Sequence, residues 1–150
     1  MKYLKLYENF DSVSIKDLEV KESTIPNSGK GLFTLVDIPR YKQIVEYAGK
    51  EISREKIKEL KSKGKFNGVR SDYLIELSDG RIVDVYNSKS VAKYANDAEF
   101  GGGKNNSKIQ EYEDGKIWLV STKKIKAGEE IFCSYGPEYW ESWKKEQNLI

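Results

Sequence analysis

The sequence predicts a mostly β fold with short helices, and three observations carry that expectation. From Leu18 onward, short runs rich in β-branched and aromatic residues are separated by turn-forming clusters. Two Asp-Gly pairs, Asp79-Gly80 and Asp114-Gly115, stand between such runs and mark hairpins, because Gly supplies the positive-φ corner. Helix-favouring patterns are confined to Ser53–Lys61 and to Pro137–Asn148.

In chain order, Leu18–Glu22 and Gly31–Val36 are short strands around the turn cluster Pro26-Asn27-Ser28-Gly29. Gln43–Gly49 is a third strand. Ser53 is placed to cap a short helix in which Ile57 and Leu60 fall on one face. Asp72–Leu77 and Arg81–Val85 form a hairpin, as do Lys108–Tyr112 and Lys116–Ser121. Gly101-Gly102-Gly103 marks a loop of flexibility or close approach, and Ile131–Ser134 is the last strand. After it, Pro137 suits a helix start, and Trp140 and Trp143, three apart, pack such a helix onto the body. The first seventeen residues match no pattern and are read as an added element of unknown role.

The chain has 150 residues, enough for one domain that buries its own core. With 26 basic and 24 acidic residues the net charge is +2, so the composition gives no support for direct nucleic-acid binding. No apolar run reaches the length of a membrane span and the first residues lack a signal-peptide pattern, so a soluble, intracellular protein of nucleus or cytoplasm is expected. The single cysteine, Cys133, fits a reducing compartment and excludes an internal disulfide or a zinc site built from several cysteines of this chain. Histidine is absent, which removes Ser-His-Asp and Cys-His hydrolases and His-ligated metal enzymes; no metal site is expected.

Four short patterns follow in one order: Gly29-Lys30-Gly31-Leu32-Phe33, Tyr47-Ala48-Gly49, Tyr94-Ala95-Asn96-Asp97, and Gly128-Glu129-Glu130-Ile131-Phe132-Cys133-Ser134-Tyr135-Gly136. Each recurs by chance, but their order and spacing resemble the SET domain, the fold of protein-lysine methyltransferases. The resemblance implies a SET-domain β-clip type fold over 18–136, with a pseudoknot-like C-terminal crossing, and a post-SET-like helix over 137–150. Asn105-Asn106-Ser107 resembles the family's second Asn-containing stretch, which crosses under the first and brings distant segments beside one cofactor.

The cofactor implied by the resemblance is S-adenosyl-L-methionine. In the family, a loop equivalent to Ser28-Gly29-Lys30 binds it through backbone groups, with Gly31 as the turn; by itself this stretch reads as a plain turn between strands. Asn96 matches the family's Asn, whose amide offers both a donor and an acceptor. Asp97 and Ala98 depart from the usual His and Ser, so a contact at Asp97 would be through its backbone, and read alone Asn96-Asp97 is an ordinary turn. Tyr135 takes the position of the catalytic tyrosine beside the transferring methyl. Tyr47 would line the lysine channel and Tyr73 would contact the cofactor, unless each is a plain strand tyrosine.

Cys133 stands where the family places the Phe or Tyr that governs how many methyls fit. A smaller thiol implies a pocket that admits more than one, unless Cys133 is simply a small core residue. Tyr139 and Trp140 are placed to wall the channel that other members close with a cysteine-zinc cluster. Glu111, Glu113, Asp114 and Glu138 would favour a basic peptide, or are solvated loop acids.

Methyl transfer from a sulfonium to an amine is an in-line displacement with an already activated electrophile, so the protein has to align and desolvate. A free lysine, pKa about 10.4, is only about one part in a thousand neutral near pH 7.4, and an aromatic channel beside a cationic sulfonium lowers that pKa. The implied substrate is a protein or peptide lysine, a histone tail first, docking as an added strand. Two alternatives stand: an idle SET-like module that binds peptide or protein, and a methyltransferase for a non-histone protein.

Overall fold

A computed structural model of the chain describes residues 13–65, 73–99 and 103–134. Among these, the strands in order are β1 (Leu18–Glu22), β2 (Lys30–Thr34), β3 (Gln43–Glu46), β4 (Lys50–Ile52), β5 (Leu74–Glu76), β6 (Ile82–Asp84), β7 (Ser107–Glu111), β8 (Ile117–Ser121) and β9 (Glu130–Ile131). One α-helix, α1 (Arg54–Ser62), and 3-10 turns at Ile15–Asp17 and Val91–Tyr94 complete the described elements. The fold is mostly β with short helices, as the sequence predicts.

Three small antiparallel sheets share the strands, in the orders β1-β2-β9, β3-β8-β7 and β4-β6-β5. Both Asp-Gly corners are hairpins: Gly80 and Gly115 take φ of 91° and 84°, and β5 pairs with β6 and β7 with β8 across them. Strand β8 is the central strand of its sheet. Ile117, Leu119, Val120 and Ser121 are all buried, so its sequence reads as a continuous apolar run rather than an alternation.

The core is one cluster. Leu32, Ile38, Ile44, Leu119, Ile125 and Ile131 are essentially inaccessible, and Tyr47, Val85, Ala95 and Cys133 pack with them. Helix α1 stands to the side over a second, smaller cluster in which Ile57 meets Ile82, with Leu60 packed against the pair. Its start is capped as its sequence requires: the Ser53 side chain accepts from the Lys56 amide at 3.1 Å.

Several strands stop short of their apolar runs, for identifiable reasons. β2 ends at Thr34, whose hydroxyl donates to Val36 O at 2.7 Å and turns the chain away. The expected strand Gln43–Gly49 divides after Glu46, and pairing resumes at Lys50 in a different sheet. Gly49 lies in that crossing. A Cβ there would sit 2.7 Å from Asp84 O and Val83 Cγ1 and 2.8 Å from Val85 Cγ1, so only glycine lets the two segments approach. Gly31 is inside β2, paired with Lys21, as the strand expected over Gly31–Val36 has it and not as the turn that the resemblance implies.

Residues 13–17 already belong to the body, since Val13 N donates to Gln43 O and Leu35 N to Asp17 O. Residues 1–12, Gly101, Gly102 and the helix expected over Pro137–Asn148 fall outside the described residues.

Candidate active site

The last strand is where distant segments meet. β9 pairs with β2, Leu32 opposite Ile131 and Phe33 opposite Glu130. The following residues continue as isolated parallel bridges, Phe132 to Asn96 and Cys133 to Ser107. Cys133 N donates to Asn96 O at 2.8 Å, fixing one side of the segment.

The other side is held by backbone and side chains together: Asn106 N and Ser107 N donate to Phe132 O at 3.2 and 3.0 Å. Asn106 Nδ2 donates to Glu130 O at 3.0 Å, and its Oδ1 accepts from Phe132 N at 2.8 Å. Ser107 Oγ donates to Phe132 O at 2.7 Å. The Asn106 amide and the Ser107 hydroxyl thus add side-chain bonds to the backbone bonds that hold this strand.

Asn96 Nδ2 donates to Lys30 O at 3.0 Å, joining the Ser28-Gly29-Lys30 turn to the 96–97 segment. Its Oδ1 carries no hydrogen bond among the described residues and remains an acceptor. Gly29 has φ of 66° and open space where a Cβ would point, so the turn presents backbone rather than side chain. Asn27, also left-handed at φ 64°, completes the tight turn.

Asp97 is buried, and its carboxylate closes the local loop: Oδ1 accepts from Glu99 N and from Asn105 Nδ2, each at 3.0 Å, while Asn105 Oδ1 accepts from Ala98 N at 2.9 Å. The side chain at this position therefore works inside the protein. Glu111, read as a loop acid, is engaged with Ser78, accepting from its amide and hydroxyl at 2.8 and 2.7 Å.

Cys133 is 1 % exposed within the main core cluster. Burial, with the nearby Asp97 charge adding to it, pushes its thiol up to about 12, although hydrogen bonding from Ser107 and from the Ile109 backbone opposes the shift. The thiol is therefore protonated at physiological pH and is no nucleophile. Stability gained by keeping it protonated is complete below pH 9.0, the unfolded value, and is lost as pH rises toward about 12.

Tyr47 is buried in the same cluster, its amide donating to Ile117 O at 2.7 Å. Tyr73 packs against that cluster from outside and meets Tyr86 edge-on, ring centroids 5.4 Å apart. The core therefore links both tyrosines to Ala95, Ile131 and Cys133. Tyr135, Gly136, Tyr139, Trp140 and Trp143 lie outside the described residues.

Sequence reasoning missed Glu130, Ser23 and Thr24. Glu130 is 4 % exposed and accepts from Ser23 Oγ at 2.7 Å, Thr24 N at 2.7 Å and Thr24 Oγ1 at 2.6 Å. The one available signal was an acid directly before the expected strand Ile131–Ser134, followed by Ile131 and Phe132. A separate open groove of about 370 Å³, lined by Glu51–Arg54 and Asp79–Ile82, contains none of the expected site residues. Among the described residues no group of three or more His, Cys, Asp or Glu could hold a metal, and no helix is long and apolar enough to cross a membrane.

A β fold whose final strand is pinned between two asparagine-bearing segments, beside a glycine turn, defines the class of protein. The SET domain family model matches residues 29–136, and the chain belongs to that family. It is 29 % identical over 107 residues to "Histone-lysine N-methyltransferase trr" of Drosophila melanogaster, covering 71 % of this chain and 4 % of the relative. It is 28 % identical over 122 residues to "Histone-lysine N-methyltransferase, H3 lysine-4 specific" of Chaetomium globosum, covering 80 % of this chain and 11 % of the relative. Among solved structures, a humanized mutant of the Chaetomium thermophilum Polycomb Repressive Complex 2 bound to the inhibitor GSK343 superposes with a TM-score of 0.64 at 27 % identity, over 79 % of this chain and 15 % of that one. The chain thus spans a small fraction of the length of the relatives it matches.

Proposed function

We propose that this chain transfers methyl groups from S-adenosyl-L-methionine to the ε-amine of a protein lysine, with a histone tail as the first candidate substrate. Membership of the SET family supports the reaction class, and the names of the histone-lysine methyltransferase relatives support the substrate class and a nuclear setting. The observation that carries the reading is the 3.0 Å bond from Asn96 Nδ2 to Lys30 O, which joins two of the family's cofactor motifs at one place.

The residues present fit the cofactor's chemistry. Asn96 Oδ1, without a hydrogen bond among the described residues, suits an ammonium donor, and the Ser28-Gly29-Lys30 turn offers backbone groups over an open space. Gly31, Tyr73, Asn96 and the Asp97 backbone complete the proposed cofactor contacts. When bound, the cofactor supplies a methyl already activated on a sulfonium. The chain's own task is to orient and desolvate the lysine in a channel assigned to Tyr47, Cys133, Tyr139 and Trp140, with the Tyr135 hydroxyl aligning the amine lone pair. The last strand would thread between the 96 and 106 segments as a knot-like crossing that holds both motifs to one cofactor.

The test is transfer of tritiated methyl to core histones and to a cell lysate, with calorimetry of cofactor binding. Wild-type protein is expected to label a histone lysine. Tyr135→Phe removes one orienting hydrogen bond and is expected to slow labelling by about tenfold. Labelling unchanged by that substitution would remove Tyr135 from catalysis, and an unlabelled wild type without cofactor affinity would favour an idle binding module. Mass spectrometry after exhaustive reaction is expected to find more than one methyl per lysine, because a thiol at Cys133 leaves room that a phenol would fill. A product that stops at monomethyl, in wild type and in Cys133→Ala, refutes that assignment.

A further inference from the structure

Glu130 is a buried carboxylate whose hydrogen-bond donors among the described residues are all neutral groups. Removing a carboxylate from water is costly unless fixed donors replace its hydration, and here the replacements come from residues more than a hundred positions earlier in the chain. The short contacts, 2.6 to 2.7 Å, fall in the range of charge-assisted bonds.

Glycine at position 31 makes this arrangement possible. Glu130 lies opposite Phe33 on β2, and Gly31 is the next residue on the same face of that strand. A Cβ on Gly31 would run into the Glu130 carboxylate, with Glu130 Cδ 3.0 Å away. The carboxylate therefore occupies the volume that a side chain at position 31 would take, and from there it reaches Ser23 and Thr24.

Those two residues open the turn that ends at Lys30. Ser23 N donates to Gly29 O at 2.8 Å, closing the turn, and the Ser23 hydroxyl accepts from Ile25 N at 3.1 Å while donating to Glu130. Within the turn Asn27 and Gly29 are both left-handed, a conformation that glycine adopts freely and that asparagine tolerates better than other side chains, so the local sequence favours the turn and the bonds at its two ends fix it. The far end of the turn is tied by Asn96 to Lys30 O.

We propose that Glu130 is a positioning residue for cofactor binding: seated in the space left by Gly31, it clamps Ser23 and Thr24 and so fixes the turn that presents Ser28, Gly29 and Lys30. The proposal rests on the methyltransferase reading. Asn96 anchors one end of the turn and Glu130 the other, and the cofactor meets a backbone already set in its bound shape.

Two disruptions isolate the clamp, Glu130→Ala from the strand side and Ser23→Ala/Thr24→Val from the turn side, where Thr24 is exposed and Ser23 half-buried. Each is expected to raise the cofactor dissociation constant and cofactor KM by about tenfold, with peptide KM and kcat within about twofold of wild type. Hydrogen exchange is expected to quicken at the amides of Ser23–Lys30 and to stay unchanged in β7 and β8. Glu130→Gln keeps the length and the acceptor for Thr24, and is expected to restore cofactor affinity to within about threefold of wild type. Faster exchange in the turn with unchanged cofactor affinity in both disrupted variants overturns the clamp as a positioning device. A wild type with no measurable cofactor affinity overturns the methyltransferase reading, and the proposal with it; a binding wild type with indifferent variants overturns the proposal alone.

Discussion

Asn106→Ala is expected to lower the unfolding free energy by about 3 kcal/mol, because it leaves two buried backbone groups without partners at about 1–3 kcal/mol each. Asn106 Nδ2 donates to Glu130 O and Asn106 Oδ1 accepts from Phe132 N, so one side chain holds the last strand at two points. Glu130, Ile131 and Cys133 are buried and Phe132 among them is half-buried, so water reaches these bonds poorly unless the segment opens. The measurement is a urea titration in which the midpoint falls and the slope is kept. Asn96→Ala, which removes the single more exposed bond to Lys30 O, is expected to cost only about 1 kcal/mol. Equal losses for the two would show that the last strand is not held by the Asn106 side chain.

Gly49→Ala is expected to destabilise by about 2 kcal/mol, within the usual range for overpacking a closed site. The added methyl would meet Asp84 O at 2.7 Å, and a backbone carbonyl within β6 cannot swing aside as a side-chain end can. Val83 and Val85 close the space from two further directions. Relief requires β4 and β6 to separate, or the chain to shift at Tyr47-Ala48, which would move a proposed channel residue. A thermal melt reads the effect, and a melting temperature equal to wild type would show that the crossing is loose.

Local chemistry made much of the fold legible. The hairpins at Asp79-Gly80 and Asp114-Gly115 and the Ser53 cap follow from rules that act over a few residues, and the structure has all three. The pairing of Asn96 with the glycine turn was legible only through the resemblance, since no local rule links positions 30 and 96. Strand ends were not legible where a side chain intervenes, as at Thr34, or where a strand changes sheets, as at Gly49. Gly31 was legible as a strand start and, by resemblance, as a turn; what fills its open face is Glu130, ninety-nine positions along, which no local rule reveals. Asp97 departs from the family pattern in sequence, and only the fold shows its partner to be Asn105.

The bonds from Glu130 back to Ser23 and Thr24 span 107 and 106 residues. A ribosome delivers the turn early and its clamp late, so during synthesis the hairpin of β1 and β2 waits without its third strand. The entropy of closing so long a loop must be met before the contact yields anything, which makes docking of the final segment a late event in assembly. The proposed cofactor turn is in this sense a certificate of completion, set only when residues 23–30 have found Glu130.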